Sequence, residues 1–511
     1  MRKKYFNAGL AILLTGWLIG CNDFNNYSAS PKHVLSFSTD TLSFDTVFTT
    51  VGSMTGYFMI YNRNSEALNI ETIHLAGSEK NGFRINIDGR KGNIFNDIPI
   101  WKKDSLYVAV EVTVHPNDNN SPFVIYDSIV FVTNGSTQYV LLEAYGQNAN
   151  IIKGGTVFAC DTTLTAERPY LVYDSIQIQE GVTVQIEQGA SFYMHKDAKW
   201  LIEGTMITNG TQDEPVLFRA DRLNKFSADL SYDNISAQWD GLYFGASSFD
   251  NELNYTLIRN GISGLTFEKS TPDRKKIDIR NSQICNMDGN VLSAVNCHIE
   301  AANTEFSNAS DYLVFLSGGK YRFVHCTIAN YMQSAMMSLH PTRLIQALTL
   351  ANHLISFNED NEEENLQFPL LEAFFDNCII DGTLLSDTIN RYKGEISFST
   401  DDAFLDGNDN HFNYRFNHCV MKTKKVDNER FHDVLFIENP KVENTNYLKS
   451  DGKNADDNYD YIYDFRLASE SMGIGKDDRS ISELYPTDRY GINRLTSELG
   501  PSIGAYEYVL E

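Results

Sequence analysis

Six short stretches of this chain follow one pattern, and their spacing constrains the fold more than any other feature. Each runs apolar residue, spacer, Asn or His, small residue, spacer, apolar residue, spacer, then a polar residue or Gly. The close copies read IRNSQICN from Ile279, AANTEFSN from Ala301, FVHCTIAN from Phe323, FDNCIIDG from Phe375 and FNHCVMKT from Phe416; LNYTLIRN from Leu253 is looser. The small residues align as Thr256, Ser282, Thr304, Cys326, Cys378 and Cys419. Ser282 to Thr304 and Thr304 to Cys326 are steps of 22 residues; the next two are 52 and 41. Self-similarity near twenty residues marks a solenoid. That period is too short for a helix–turn–helix pair and fits one coil of three short strands. Ile279, Ile284, Phe306, Ile328, Ile380 and Met421 are too sparse for a helical stripe and sit at strand alternation.

Stacked coils place equivalent positions one strand spacing apart, about 4.8 Å. Asn281, Asn303 and Asn377 are expected to exchange amide hydrogen bonds along such a ladder, with His325 and His418 in the same slot. Cys326, Cys378 and Cys419 read as small apolar thiols buried in register, because one Cys per distant coil lacks zinc-ligand spacing. The longer steps predict coils carrying insertions. Loops on a rigid stack carry function, so the inserted coils between Cys326 and Cys419 are the expected contact region.

Residues 35–148 alternate differently, in short strands with turn signals between them (GYFMIYNRN, FRINIDG, SLYVAVEVTVHP). That patterning predicts a β-sandwich. Tyr61-Asn62-Arg63, Gly82-Phe83-Arg84-Ile85, the strand end Val112 to Pro116 and the closing Leu141 to Gly146 resemble immunoglobulin-like domains of the ASH/Hydin type. The resemblance implies a spacer or protein-binding module and no catalysis. From Gly154, apolar alternation broken by Gly181, Gly189, Gly204 and Gly210 resembles the first coils of a right-handed parallel β-helix of the pectate-lyase-like kind. The solenoid is expected over 149–467. Asp464, Arg466, Asp488, Gly491, Arg494, Gly504, Ala505, Tyr506 and Glu507 resemble the terminal segment of Bacteroidetes β-helix lipoproteins. Residues 468–511 are accordingly expected to cap the open edge of the last coil.

Arg2, Lys3 and Lys4 precede an apolar run over 8–20 that is too short to span a bilayer comfortably. Leu18-Ile19-Gly20-Cys21 resembles a bacterial lipobox, which implies a signal peptide over 1–20, acylation of Cys21, and a polar tether over 21–34. The resemblance places the protein on the cell outer membrane, with lipid as one partner and the periplasmic or external face left open. Asp23 is the one acidic residue just after Cys21, where surface lipoproteins of that group often carry a cluster. The net charge of −25 makes nucleic acid a poor partner. The remaining six cysteines are scattered and impose no disulfide framework.

Seven Asp-Ser/Thr dipeptides precede an apolar residue or Thr. Their hydroxyl residues are Thr41, Thr46, Ser105, Ser128, Thr162, Ser175 and Thr388. The motif is similar to the O-glycosylation acceptor of Bacteroidetes, and equally to ordinary turn-into-strand chemistry. For catalysis, Asp401-Asp402 is the carboxylate pair that invites a glycosidase reading. No Gly-His-Gly or Arg-x-Lys accompanies it, and no Lys/Arg cluster is expected to recur on one ladder face. The acidic stretches from Asn358 and Lys453 lack calcium-loop spacing, so neither metal nor cofactor is expected. The reading is an all-β envelope lipoprotein that binds or scaffolds a protein partner or glycan without catalysis. A polysaccharide lyase or glycoside hydrolase of the same fold is the alternative.

Overall fold

The computed structural model describes residues 27–510 apart from 78–80, 119, 227–229, 333–344, 358–361, 385, 388–391, 406–410, 439–442 and 458. Cys21 and Thr388 lie outside the described residues. The chain divides after Asn148 into two compact units.

The first unit is a sandwich of two five-stranded sheets. One orders Ser36–Phe37, Gly56–Tyr61, Ser105–Val112, Phe83–Ile87 and Arg90–Gly92. The other orders Thr41–Phe48, Ser136–Gln147, Phe123–Thr133, Leu68–Leu75 and Ile94–Ile100. Period-two alternation builds its core: Val140, Leu142 and Ala144 are buried while Tyr139, Leu141 and Tyr145 are exposed. Thr41–Phe48 pairs parallel with Ser136–Gln147, so the two ends of the domain lie side by side.

The second unit is a right-handed parallel β-helix. Each coil passes through three sheets in turn, beginning with Asn150–Ile152 in sheet I, Thr156–Phe158 in sheet II and Thr162–Leu164 in sheet III. Among the described residues the sheets hold 11, 9 and 10 strands. Like residues stack inside. Phe323, Phe375, Phe416 and Phe431 form a ladder in sheet III with ring centroids 5.0, 5.0 and 5.4 Å apart.

The repeated motif is the corner from sheet III to sheet I. One residue turns it with positive φ: Tyr255 (43°), Asn281 (50°), Asn303 (49°), His325 (49°), Asn377 (53°) and His418 (47°). Asn and His adopt that left-handed conformation more readily than most side chains, which explains the slot. The next residue, from Thr256 to Cys419, is fully buried. Its hydroxyl or thiol donates to the carbonyl two residues back, at 3.3, 2.7, 2.9, 3.4, 3.2 and 3.5 Å along the column. A small side chain with a donor is therefore required, and Ser, Thr and Cys all supply it. The polar ladder runs in two pieces, the first of which begins with Asn281 Nδ2 donating to Asn254 Oδ1 (3.0 Å). Asn303 Nδ2 donates to Asn281 Oδ1 (3.2 Å) and Asn377 Nδ2 lies 3.1 Å from His325 Nε2.

The insertions leave from the other two corners. Residues 353–367 include a hairpin pairing His353–Phe357 with Glu363–Gln367. The C-terminal segment corrects the expected cap: it lies lengthwise along the solenoid. Asn303 Nδ2 donates to Thr487 O, the Gly504 N–H to Asn377 O, the Ala505 N–H to Thr327 Oγ1, and Tyr506 OH to Glu305. The reason is apolar surface. In the later coils the outward residues of sheet I include Ala329, Ile379 and Val420, and these bury against Ile503, Ala505, Tyr506, Phe465 and Leu467.

Candidate functional site

With sheet I covered in this way, the outer face of sheet III is the exposed surface richest in chemistry. Register aligns Glu252, Asp278, Glu300, Arg322, Phe374 and Arg415 on consecutive coils, all pointing outward. Arg430 extends the column, preceding Phe431, which pairs with Phe416. The column changes sign along its length, acidic in the earlier coils and basic in the later ones.

Two carboxylates of the acidic end, Asp278 and Glu300, are paired with cations. Lys275 Nζ lies 2.7 Å from Glu300 Oε2 and 3.3 Å from Asp278 Oδ2. Arg280 Nη2 donates to Asp278 Oδ2 (3.0 Å) and Glu300 Oε2 (3.4 Å). Burial pulls the Lys275 ammonium down, but its bond to Glu300 and the two carboxylates outweigh it and leave the group raised. Neither carboxylate is free to act as a poised acid or base.

At the basic end, among the described residues, two arginines share one carboxylate. Asp376 is fully buried between Arg415 Nη2 at 2.8 Å and Arg322 Nε at 3.8 Å, so two guanidiniums share one carboxylate. Arg322 and Arg415 keep 47% and 40% of their side chains exposed. Arg415 stacks over Phe374 (4.8 Å) and Arg430 over Tyr414 (4.7 Å), which holds both planar groups against rings. Arg430 Nη1 donates to Phe412 O. Arginines presented this way suit carboxylate, sulfate or phosphate groups.

This overturns the expectation that no Lys/Arg cluster recurs on one ladder face. Insertions between Cys326 and Cys419 separate these arginines in sequence and hide their register. The signal was nonetheless present. In the aligned copies, the position before the first apolar residue reads Glu252, Asp278, Glu300, Arg322, Phe374 and Arg415.

Of the carboxylate pair named for the enzyme alternative, Asp401 is bonded into the scaffold. Asp401 Oδ1 accepts from the Ala403 and Phe404 N–H groups at the start of helix Asp402–Leu405, while Oδ2 accepts from Asn365 and Gln367 of the hairpin, both at 2.8 Å. The Gln367 bond, foremost, holds Asp401 below its usual range. A general acid needs the opposite shift. Asp402 accepts from Thr400 Oγ1 at 3.2 Å. Of the hydroxyl residues, Thr41, Ser105, Thr162 and Ser175 each begin a strand, and Thr46 and Ser128 lie within strands. The carboxylates of Asp104 and Asp127 accept from the N–H groups of Ser105 and Ser128. Among the described residues no group of three His, Cys, Asp or Glu is placed to hold a metal ion.

No family model matches the chain. Protein bark beetle of Drosophila melanogaster is 24% identical over 137 residues, which is 25% of this chain and 4% of that protein; the match spans a small fraction of its length. Among solved structures, pectate lyase Pel9A aligns over 70% of this chain and 88% of its own at 12% identity and TM-score 0.29. An ASH/PapD-like domain of human CEP192 aligns over 25% of this chain and 92% of its own at 10% identity and TM-score 0.16. The catalytic domain of a GH87 alpha-1,3-glucanase reaches 75% of this chain at TM-score 0.15. These scores carry no functional inference; the architecture rests on the strand pairing described above.

Proposed function

We propose that this protein is a non-catalytic binding or scaffolding module of the bacterial cell envelope. Cys21 would tether it to the outer membrane, and the outer face of sheet III would engage a protein partner or glycan bearing acidic groups. The observation that carries the reading is the arginine column: Arg322, Arg415 and Arg430 stand in register on a rigid sheet, with Arg415 and Arg430 against rings and, among the described residues, Arg322 and Arg415 sharing the one carboxylate of Asp376. A surface built for positioning suits recognition. Support also comes from the carboxylates, since Asp278, Glu300 and Asp401 are each committed to structural partners.

The same column favours one second reading. A β-helix lyase must neutralise the uronate of its substrate, and stacked arginines would do so. The deciding experiment is a screen of acidic polysaccharides alongside co-purification from outer membranes. Binding without cleavage, weakened at least tenfold by Arg322→Ala with Arg415→Ala, supports the module. Cleavage that survives dialysis and is abolished in Asp402→Asn would replace it with the enzyme. The hydroxyl residues from Thr41 to Thr388 are proposed as glycan acceptors, to be checked by intact mass of protein from the native host against enzymatically deglycosylated material.

A further inference from the structure

We propose that Lys422 and Asp381 join through an autocatalytic isopeptide bond, with Glu395 carrying the protons. The bond would tie two consecutive coils of sheet I together, and it does not depend on the role of sheet III. Ile380 pairs with Met421, and the Lys422 N–H donates to Ile380 O at 2.9 Å. Ile380 and Met421 point into the solenoid core, so Asp381 and Lys422 stand side by side on the outer face, beneath the C-terminal segment. Glu395 reaches them from the next strand but one along the chain, where its N–H donates to Lys422 O at 2.8 Å. Lys422 is 7% exposed, Asp381 1% and Glu395 0%.

Three observations carry the proposal. First, Lys422 Nζ lies 3.8 Å from Asp381 Oδ1. That is longer than the about 2.7–2.9 Å of a closed ion pair and close to the about 3–3.5 Å of reacting atoms poised for attack. Nζ is held there by donating to Gly382 O. Second, the two carboxyl oxygens are held differently. The Gly382 N–H donates to Oδ1 at 2.7 Å and Tyr331 OH to Oδ2 at 2.9 Å. Tyr331 packs in turn against Tyr447 and Phe465, which close the site with rings. Third, an ammonium and two carboxylates are buried together, which is costly, and condensation removes two of the charges. Burial, foremost, raises the Asp381 carboxyl above its ordinary value against the pull of Lys422, which eases its protonation. Glu395 is fixed by the N–H groups of Leu384 (2.8 Å) and Ala347 (3.2 Å). It lies against the peptide that holds Nζ, since a Cβ on Gly382 would collide with Glu395 Oε1.

The step balances without oxidant or cofactor. Glu395 takes one proton from the Lys422 ammonium, and the freed lone pair attacks Asp381 Cγ. The charge that develops on Oδ1 is held by the Gly382 N–H. Glu395 passes its proton to Oδ2 and relays a second from Nζ. The Cγ–Oδ2 bond breaks, Oδ2 leaves as water, and the third Nζ proton remains on the amide. Glu395 is regenerated. The new bond closes the 41 residues that separate the pair (422 − 381), constraining the unfolded chain as a disulfide does.

The test is peptide mass spectrometry of the full chain, purified folded, then denatured, reduced and digested with trypsin. Trypsin does not cut after an acylated lysine. Residues 344–391 should therefore emerge joined to 416–424, at the summed mass less one water. Lys422→Arg and Asp381→Ala should each abolish the joined species, and Glu395→Gln should lower its fraction tenfold or more. Recovery of 344–391 and 416–422 only as separate peptides of full mass from the unaltered chain would overturn the proposal, and that reading needs no variant to fold. A joined species that persists in Lys422→Arg would overturn the assignment of the bond, and joining undiminished in Glu395→Gln would overturn the proton relay.

Discussion

One residue slot shows how much a backbone angle can dictate. His325 turns the corner from sheet III to sheet I at φ 49° and is fully buried beneath the C-terminal segment. Its Nε2 lies 2.8 Å from Ser482 Oγ, which donates in turn to Asp477. Burial first, and the Arg494 charge second, push the imidazole well below its ordinary value of 6.5. The folded state therefore holds it neutral, while the unfolded chain takes up a proton near pH 6.5. The contribution of His325 is fully present above that pH and falls as pH drops below it, by up to about 1.4 kcal/mol per pH unit. Asn fills the same slot at 281, 303 and 377, so His325→Asn should fold and lose less stability between pH 6.5 and 5 in thermal melts. Asp488 and Glu507, raised by burial, titrate in both proteins and cancel in the difference. The thiol column makes a second prediction. Cys326, Cys378 and Cys419 are fully buried, and burial raises Cys378 well above its usual value. In native protein, iodoacetamide should label exposed Cys160 and leave these three unmodified, as peptide mass spectrometry will read; labelling of Cys378 without unfolding would refute the packing.

Elements are held by clips whose residues look functional in sequence. Asp401 joins a helix start to a hairpin, so Asp401→Ala should cost about 1–2 kcal/mol by loss of a cap and two side-chain bonds, measured by chemical denaturation. The C-terminal segment is fastened more tightly. Gly504 has φ 101°, and a Cβ there would meet Ile379 Cδ1 at 2.7 Å and Thr327 Oγ1 at 2.9 Å. Gly504→Ala should destabilise by about 2–4 kcal/mol and expose the strap first in hydrogen exchange. Arg494 anchors the same segment from inside, fully buried and bonded to Asn303 Oδ1, Ser502 O and Gly504 O. In sequence this segment reads as a cap over the open edge of the last coil. Only the apolar outer face of sheet I reveals why it lies flat.

For the whole molecule, the anchor and the recognition face make separable predictions. Cys21→Ser should move the protein from the membrane to the soluble fraction while leaving its melting unchanged. Raising salt should weaken binding of an acidic ligand to sheet III, and the Arg322→Ala, Arg415→Ala pair should flatten that salt dependence. The sequence by itself determined the architecture: alternation of period two defined the sandwich, and a period of 22 between Ser282, Thr304 and Cys326 defined the coil. It also determined the corner, because Asn and His adopt a left-handed bend readily and a small donor after them can make a buried bond to its own backbone. These are local constraints, written within a few residues of where they act. Tertiary structure alone decided the rest. Insertions of unequal length hid the alignment of Arg322 with Arg415 and Arg430, and stacking restored it. The C-terminal segment found the side of the solenoid and not its end, because its partners are outward residues of coils more than a hundred positions away in sequence. Long-range burial decides such placements, and no local pattern encodes which distant apolar face a segment will cover.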